Sequence, residues 1–193
     1  MSVFRSLVKA VQEDLYRKSD GNKGLAVFFR YYFLFPEFKY SVQYRICRAF
    51  KNRFPWNILF YPFASLNKGH LSRKYGIFIS TDMQIGRGFR LDHFGGIFLS
   101  PQTIIGDNCN ISAGVVFGNI PRGINTGVPE KICDRVYIGV GAKILGRITV
   151  GNDVVIGANC VVTKSIPDGV SVTGVPGRVV ALEGSEDYIN FSV

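Results

Sequence analysis

The sequence predicts a mainly β protein: a parallel solenoid of short coils, preceded by an α-helical region. Three observations carry this reading. Aliphatic residues recur every six positions through the last two thirds of the chain, glycine often follows them directly, and the first third has a different composition altogether. A strict period of six fits neither a 3.6-residue helix nor an alternating strand; it fits a coil with three flat faces of about six residues each.

The repeat begins with Ile79, Ile85, Leu91 and Ile97, steps by eight to Ile105, and continues through Ile111 and Phe117. A second run follows at Ile132, Ile138, Ile144, Val150, Ile156 and Val162. Each of these side chains is expected to point inward. Burying one is worth roughly 1.5–3 kcal/mol, so a dozen can hold a narrow prism together. Two interruptions stand out, because insertions in solenoids gather at functional faces. The small one is assigned between Ile97 and Ile105; the larger, GNIPRGINTGVPEK at 118–131, is rich in Gly, Pro and Asn and reads as a loop extending from one edge.

The first 75 residues hold 14 Lys and Arg against 4 Asp and Glu, and 18 of the 26 aromatic residues; the remainder is nearly neutral. Phe4, Leu7, Val8, Val11 and Leu15 fall on one helical face that Gly21 and Gly24 end. Further helices are expected within residues 41–54 and 56–68. The division is 1–74 for the helical region, 75–182 for the solenoid and 183–193 for a tail. Two tasks suit the helical region. One is a cap over the open end of the solenoid that also assists assembly. The other is a membrane-facing surface, because Phe28, Phe29, Tyr31, Tyr32, Phe33 and Phe35 crowd around Arg30 with Arg45, Arg48, Lys51 and Arg53 nearby.

Other classes fall away. No nucleic-acid-binding motif accompanies the basic charge. Residues 1–20 lack the apolar core of a signal peptide and no eighteen apolar residues run together, so the expected location is cytoplasmic, with contact to the inner face of a membrane as its variant. Cys47, Cys109, Cys133 and Cys160 show no C-x-x-C spacing and read as reduced thiols. With two histidines in the chain, a three-histidine metal centre within one chain is excluded, and no metal site is expected.

One of those histidines, His93 in LDHFGG, follows Asp92 and precedes two glycines. Together with the six-residue spacing, IGVGAKILGRITVGNDVVIGANCVVTK and the closing VTGVPGRVV, this segment resembles the hexapeptide-repeat acyltransferases, in their serine acetyltransferase and polysaccharide O-acetyltransferase branches. The resemblance runs from about Tyr75 to Val180. It implies a left-handed parallel β-helix, a homotrimer, and acetyl-CoA as donor to a hydroxyl acceptor. An alcohol is a poor nucleophile until its proton leaves, and an imidazole with a pKa near 6.5 suits that work at neutral pH. By the resemblance His93 is the general base and Asp92 holds the acceptor or biases the local field. Val140 and Ala158 line a groove for the pantetheine arm, with Thr163, Lys164 and Arg178 near the nucleotide. No cysteine matches a family nucleophile, which favours direct transfer.

The chain departs from the family at two places. Phe78 stands where serine acetyltransferases carry the acid that orients the histidine, and Val128 and Pro129 stand where they carry an Arg-His pair. Without that arginine a carboxylate-bearing acceptor lacks its cation, although Arg122 is in the same loop. The expectation is therefore acetylation of a sugar hydroxyl, with serine O-acetylation as the alternative and a non-enzymatic scaffold as the third reading.

Overall fold

A computed structural model describes residues 3–193. Five helices precede fifteen short strands: α1 (Val3–Lys18), α2 (Leu25–Leu34), α3 (Pro36–Phe50), α4 (Trp56–Leu59) and α5 (Tyr61–Tyr75). Gly76, with φ 63°, turns the chain out of α5 and into the first coil. That coil contains β1 (Ile77–Ile79), β2 (Gln84–Ile85) and β3 (Arg90–Asp92). The second contains β4 (Ile97–Leu99), β5 (Ile104–Ile105) and β6 (Asn110–Ser112), and the third β7 (Val116–Gly118), β8 (Lys131–Ile132) and β9 (Tyr137–Ile138). The fourth contains β10 (Lys143–Leu145), β11 (Thr149–Val150) and β12 (Val155–Ile156). β13 (Val161–Val162), β14 (Ser171–Thr173) and β15 (Arg178–Ala181) close the stack.

Like strands of successive coils pair in parallel, giving three faces: β1-β4-β7-β10-β13, β2-β5-β8-β11 and β3-β6-β9-β12-β14, with β15 added antiparallel to the last. This is a parallel β-helix of about five coils. Of the thirteen residues expected inward, twelve are buried and Ile85, in the first coil, is partly covered.

The register moves one expectation. Ile77 pairs with Ile97 and Ile79 with Leu99, so Leu99, not Ile97, continues the column of Ile79. Phe98 in turn faces Val116, which aligns Leu99 with Phe117, and Phe117 pairs with Ile144. The steps are then Leu91 to Leu99, eight residues, and Leu99 to Ile105, six. The small insertion therefore lies at residues 93–96 and carries the histidine. Alternating burial in β4 hid this, since Ile97 and Leu99 are both inward.

The first coil would leave its outer carbonyls without partners, and α1 and α3 supply donors for them. Tyr44 Oη donates to Met83 O at 2.6 Å, Arg45 to Ile85 O at 2.9 Å and Gly86 O at 2.6 Å, Arg17 to Gly88 O at 2.8 Å, and Lys18 to Leu91 O at 2.8 Å. Much of the basic charge of the helical region thus serves as a cap. Asp14 holds the arrangement: it accepts from Arg45 at 2.8 and 2.9 Å, from Ser41 at 3.0 Å and from the Phe89 amide at 2.9 Å, fully buried. The tail closes the same end, with Asn108 exchanging hydrogen bonds with the Val193 backbone at 3.0 and 3.1 Å.

The expected helices differ in two respects. α2 lies where the sequence shows only an aromatic cluster, and its lack of an N-capping side chain explains the missing start signal. In α1 the buried residues are Asp14, Leu15 and Arg17, while Phe4 and Val8 on the expected apolar face are exposed. Asp14→Ala leaves Arg45 buried without its counter-charge and is expected to lower stability by about 3–5 kcal/mol in urea unfolding. Lys9→Ala, on the exposed side of α1, is expected to cost less than about 0.5 kcal/mol.

Candidate active site

The corner between the third and first faces is built from small residues in left-handed conformation. Gly76, Gly96, Gly114 and Gly141, with φ between 63° and 73°, stack one above another and are followed by Asn159 at φ 55°. A Cβ on Gly114 would sit 3.3 Å from the Gly141 Cα, so the coils approach closely along this edge. The backbone links level to level: Ala113 N to Asp92 O at 3.0 Å, Gly114 N to Gly95 O at 2.8 Å, Gly141 N to Ala113 O at 2.8 Å and Asn159 N to Val140 O at 2.8 Å.

His93 stands at the top of this edge, on the two-residue insertion. Its φ of 64° is unusual for a residue with a Cβ. It lies outside the glycine ladder, so coil stacking does not demand it, and the conformation serves to turn the side chain out of the prism. The imidazole is exposed, and among the described residues nothing hydrogen-bonds to it. Phe94 beside it packs on Tyr75 with ring centroids 5.7 Å apart, which fixes one flank of the insertion.

Asp92 is tied into a network of ion pairs. As the last residue of β3 it accepts from Arg90 Nε at 2.8 Å and from Lys18 Nζ at 3.4 Å, and Lys18 also pairs with Glu37 at 3.0 Å. Its carboxylate is held by two cations from the strand and α1. It anchors the strand before the histidine. Lys18 carried no local signal in the sequence, because its partners Leu91 and Asp92 are more than seventy residues away.

Val140 and Ala158 fall two and three levels below His93 on the same edge. At about 4.8 Å per level this places them roughly 10 and 14 Å away, both exposed. Arg178, paired with Thr173 at the far end of the third face, lies roughly 20–25 Å from His93. The edge thus sets a histidine at one end and a cation at the other, with a line of backbone between them. Lys143, which the sequence reading missed, sits beside this line and donates to Gly114 O at 2.6 Å and Gly141 O at 2.8 Å. Thr163 and Lys164 share the last coil but stand across the first face from Arg178, where Thr163 O accepts from Asn125 of the long loop at 2.8 Å.

That loop leaves the corner between the first and second faces. It is pinned by an Ile120–Gly127 bridge and then lies down on the next coil through Arg147 N to Asn125 O at 3.0 Å. Pro129 is buried, its carbonyl taken by Thr103 at 2.6 Å, while Arg122 is exposed. Phe78 stacks on Phe98 at 4.7 Å with the rings 9° from parallel, so an aromatic pair occupies the outer side of the first face where the family would carry an acid.

Among the described residues no cluster of three His, Cys, Asp or Glu exists. Burial raises all four thiols, Cys109 to about 12 and Cys47 to about 11, which keeps them protonated near neutral pH.

These features define the class: a hexapeptide-repeat β-helix carrying an exposed histidine on one glycine-lined edge. A family model described as bacterial transferase hexapeptide (six repeats) matches residues 131–164. The serine acetyltransferase of Synechococcus elongatus is 37% identical over 116 residues, covering 60% of this chain and 47% of that one. A solved serine acetyltransferase of Brucella abortus in complex with coenzyme A superposes with a TM-score of 0.75 at 27% identity, covering 94% of this chain and 73% of that one. The serine-bound enzyme of Neisseria gonorrhoeae gives 0.72 at 27% identity, covering 92% and 66%. The chain spans about half the length of the curated relatives it matches. In sequence and in fold the chain is similar to serine acetyltransferases.

If His93 is the base, His93→Ala should lower acetyl transfer by about 10²- to 10⁴-fold while leaving coenzyme A binding and the melting temperature unchanged. Treatment with iodoacetamide at pH 7 should leave the rate intact; loss of activity on modifying a cysteine would point to an acyl-enzyme instead.

Proposed function

We propose that the protein is an acetyl-CoA-dependent O-acetyltransferase that transfers acetyl directly to an alcohol. The single observation that carries this reading is the alignment of His93, Val140, Ala158 and Arg178 along one edge. An extended thioester laid on that edge would meet a cation at its phosphate end and an imidazole at its acyl end. His93 Nδ1 or Nε2 would take the proton of the acceptor hydroxyl as its oxygen attacks the thioester carbonyl. The tetrahedral intermediate would then expel the coenzyme A thiolate, which is reprotonated. Because nothing among the described residues hydrogen-bonds to the ring, we place the cleft between copies of a homotrimer, where a neighbouring chain would cover the edge.

The comparisons favour L-serine as the acceptor, which revises the sugar reading drawn from the loop. The carboxylate of serine would require a cation, and neither Val128 nor Pro129 provides one; Arg122 and Lys143 are the candidates. One observation favours a carboxylate-free acceptor such as a sugar: the exposed Phe78–Phe98 stack on the face next to the histidine corner. Thiol release from acetyl-CoA, followed in the presence of L-serine and of a panel of nucleotide sugars, separates the two. Serine is expected to stimulate release at least about tenfold over water, equivalent to about 1.4 kcal/mol. Stimulation only by sugars would transfer the assignment to the second reading, and failure of coenzyme A to bind would refute both.

A further inference from the structure

α2 is apolar on both sides, and the rest of the chain covers only one of them. Its inner side, Val27, Phe28, Tyr31 and Tyr32, packs against the cluster of Leu15, Phe38 and Val42. Its outer side leaves Leu25 77%, Phe29 53%, Phe33 71% and Leu34 65% exposed, and no residue of the helix is fully buried. A helix that is hydrophobic all round is one that something covers. Between α1 and α2 runs an apolar groove of about 340 Å³, walled by Leu7, Val8, Val11, Leu25 and Phe28.

Charge selects the occupant. Glu37 is the sole acidic residue between positions 21 and 81, and it is buried against Lys18. Arg45, Arg48 and Lys51 turn toward the first coil, whereas Lys23 and Arg30 are exposed beside and within the apolar face. A second copy docked face to face would oppose these cations with themselves, in a region without acids to offset them. An anionic bilayer offers hydrocarbon to the rings and headgroups to the cations. The α4–α5 segment repeats the composition, with Phe54, Ile58, Leu59, Phe63 and Leu66 exposed beside Arg53. No helix among the described residues is long and apolar enough to cross a membrane, so the contact lies in the plane of the interface.

We propose that the outer face of α2, with the groove it forms against α1, docks into the interface of an anionic bilayer. The proposal is independent of the acceptor. The full chain is mixed with vesicles of phosphatidylcholine alone or with added phosphatidylglycerol and sedimented. Retention is expected on the anionic vesicles only, falling as salt is raised. Phe29→Ser with Phe33→Ser, and separately Arg30→Glu, should each weaken retention about tenfold without shifting the thermal melt, because all three side chains are exposed. Four results overturn it: no retention, equal retention on neutral vesicles, variants that bind as well as the parent, or a solution mass by light scattering that falls in the Phe29→Ser/Phe33→Ser variant. The last would mean that a second copy covers the face.

Discussion

Everything in this molecule is positioned by the hydrogen bonding of one coil to the next. Each short strand pairs with its counterpart in an adjoining coil, and no helix intervenes between them. A side chain therefore owes its height to the number of coils beneath it and its azimuth to its place in the six-residue period. Both quantities are discrete. Residues as far apart as Ala113, Val140 and Ala158 fall on one line because each occupies the same place in its coil, and the line is straight because the aliphatic columns behind it stay in register.

Such a stack has a weakness at its ends, where carbonyls and amides face nothing. The first coil is closed by side chains from α1 and α3, chiefly cations and tyrosines, that donate to consecutive carbonyls. A cationic cap suits carbonyl oxygens, and it accounts for part of the basic charge of the helical region. The cost is that several arginines lose water; desolvation lowers buried Arg17 to about 10. Asp14 offsets this for Arg45, with which it pairs directly. The cap also reaches the site, since Lys18 grips both the carbonyl of Leu91 and the carboxylate of Asp92, one residue before the histidine.

The coil, its inward columns and the long loop were legible because stacking imposes a strict period on the sequence. The cap was not, since Asp14–Arg45 and Lys18–Asp92 join elements 31 and 74 residues apart and no periodicity announces them. The register error at Ile97 has the same origin. A strand of three residues buries both its first and third side chains, so either could continue the column, and only the pairing with β1 and the Phe98–Val116 contact decides between them. The ion pair of Asp92 with Lys18 was hidden by distance in the same way, since Lys18 comes from a helix 74 residues away.

Once the register is corrected, the position of the histidine has a physical reason. The equivalent corners of the second, third and fourth coils take six residues from column to column: Ile111 to Phe117, Ile138 to Ile144 and Ile156 to Val162. A side chain at such a corner is confined by the coils above and below, as the Gly114–Gly141 approach illustrates. Two additional residues release the chain from that confinement and lift His93 away from the prism wall, in a left-handed conformation that two following glycines accommodate. In the mechanism proposed above, the base would have to reach past the wall to meet a substrate laid along the edge. An insertion at the top coil provides that reach without disturbing the register of any coil below it, so the corner can carry chemistry while the stack beneath it carries the fold.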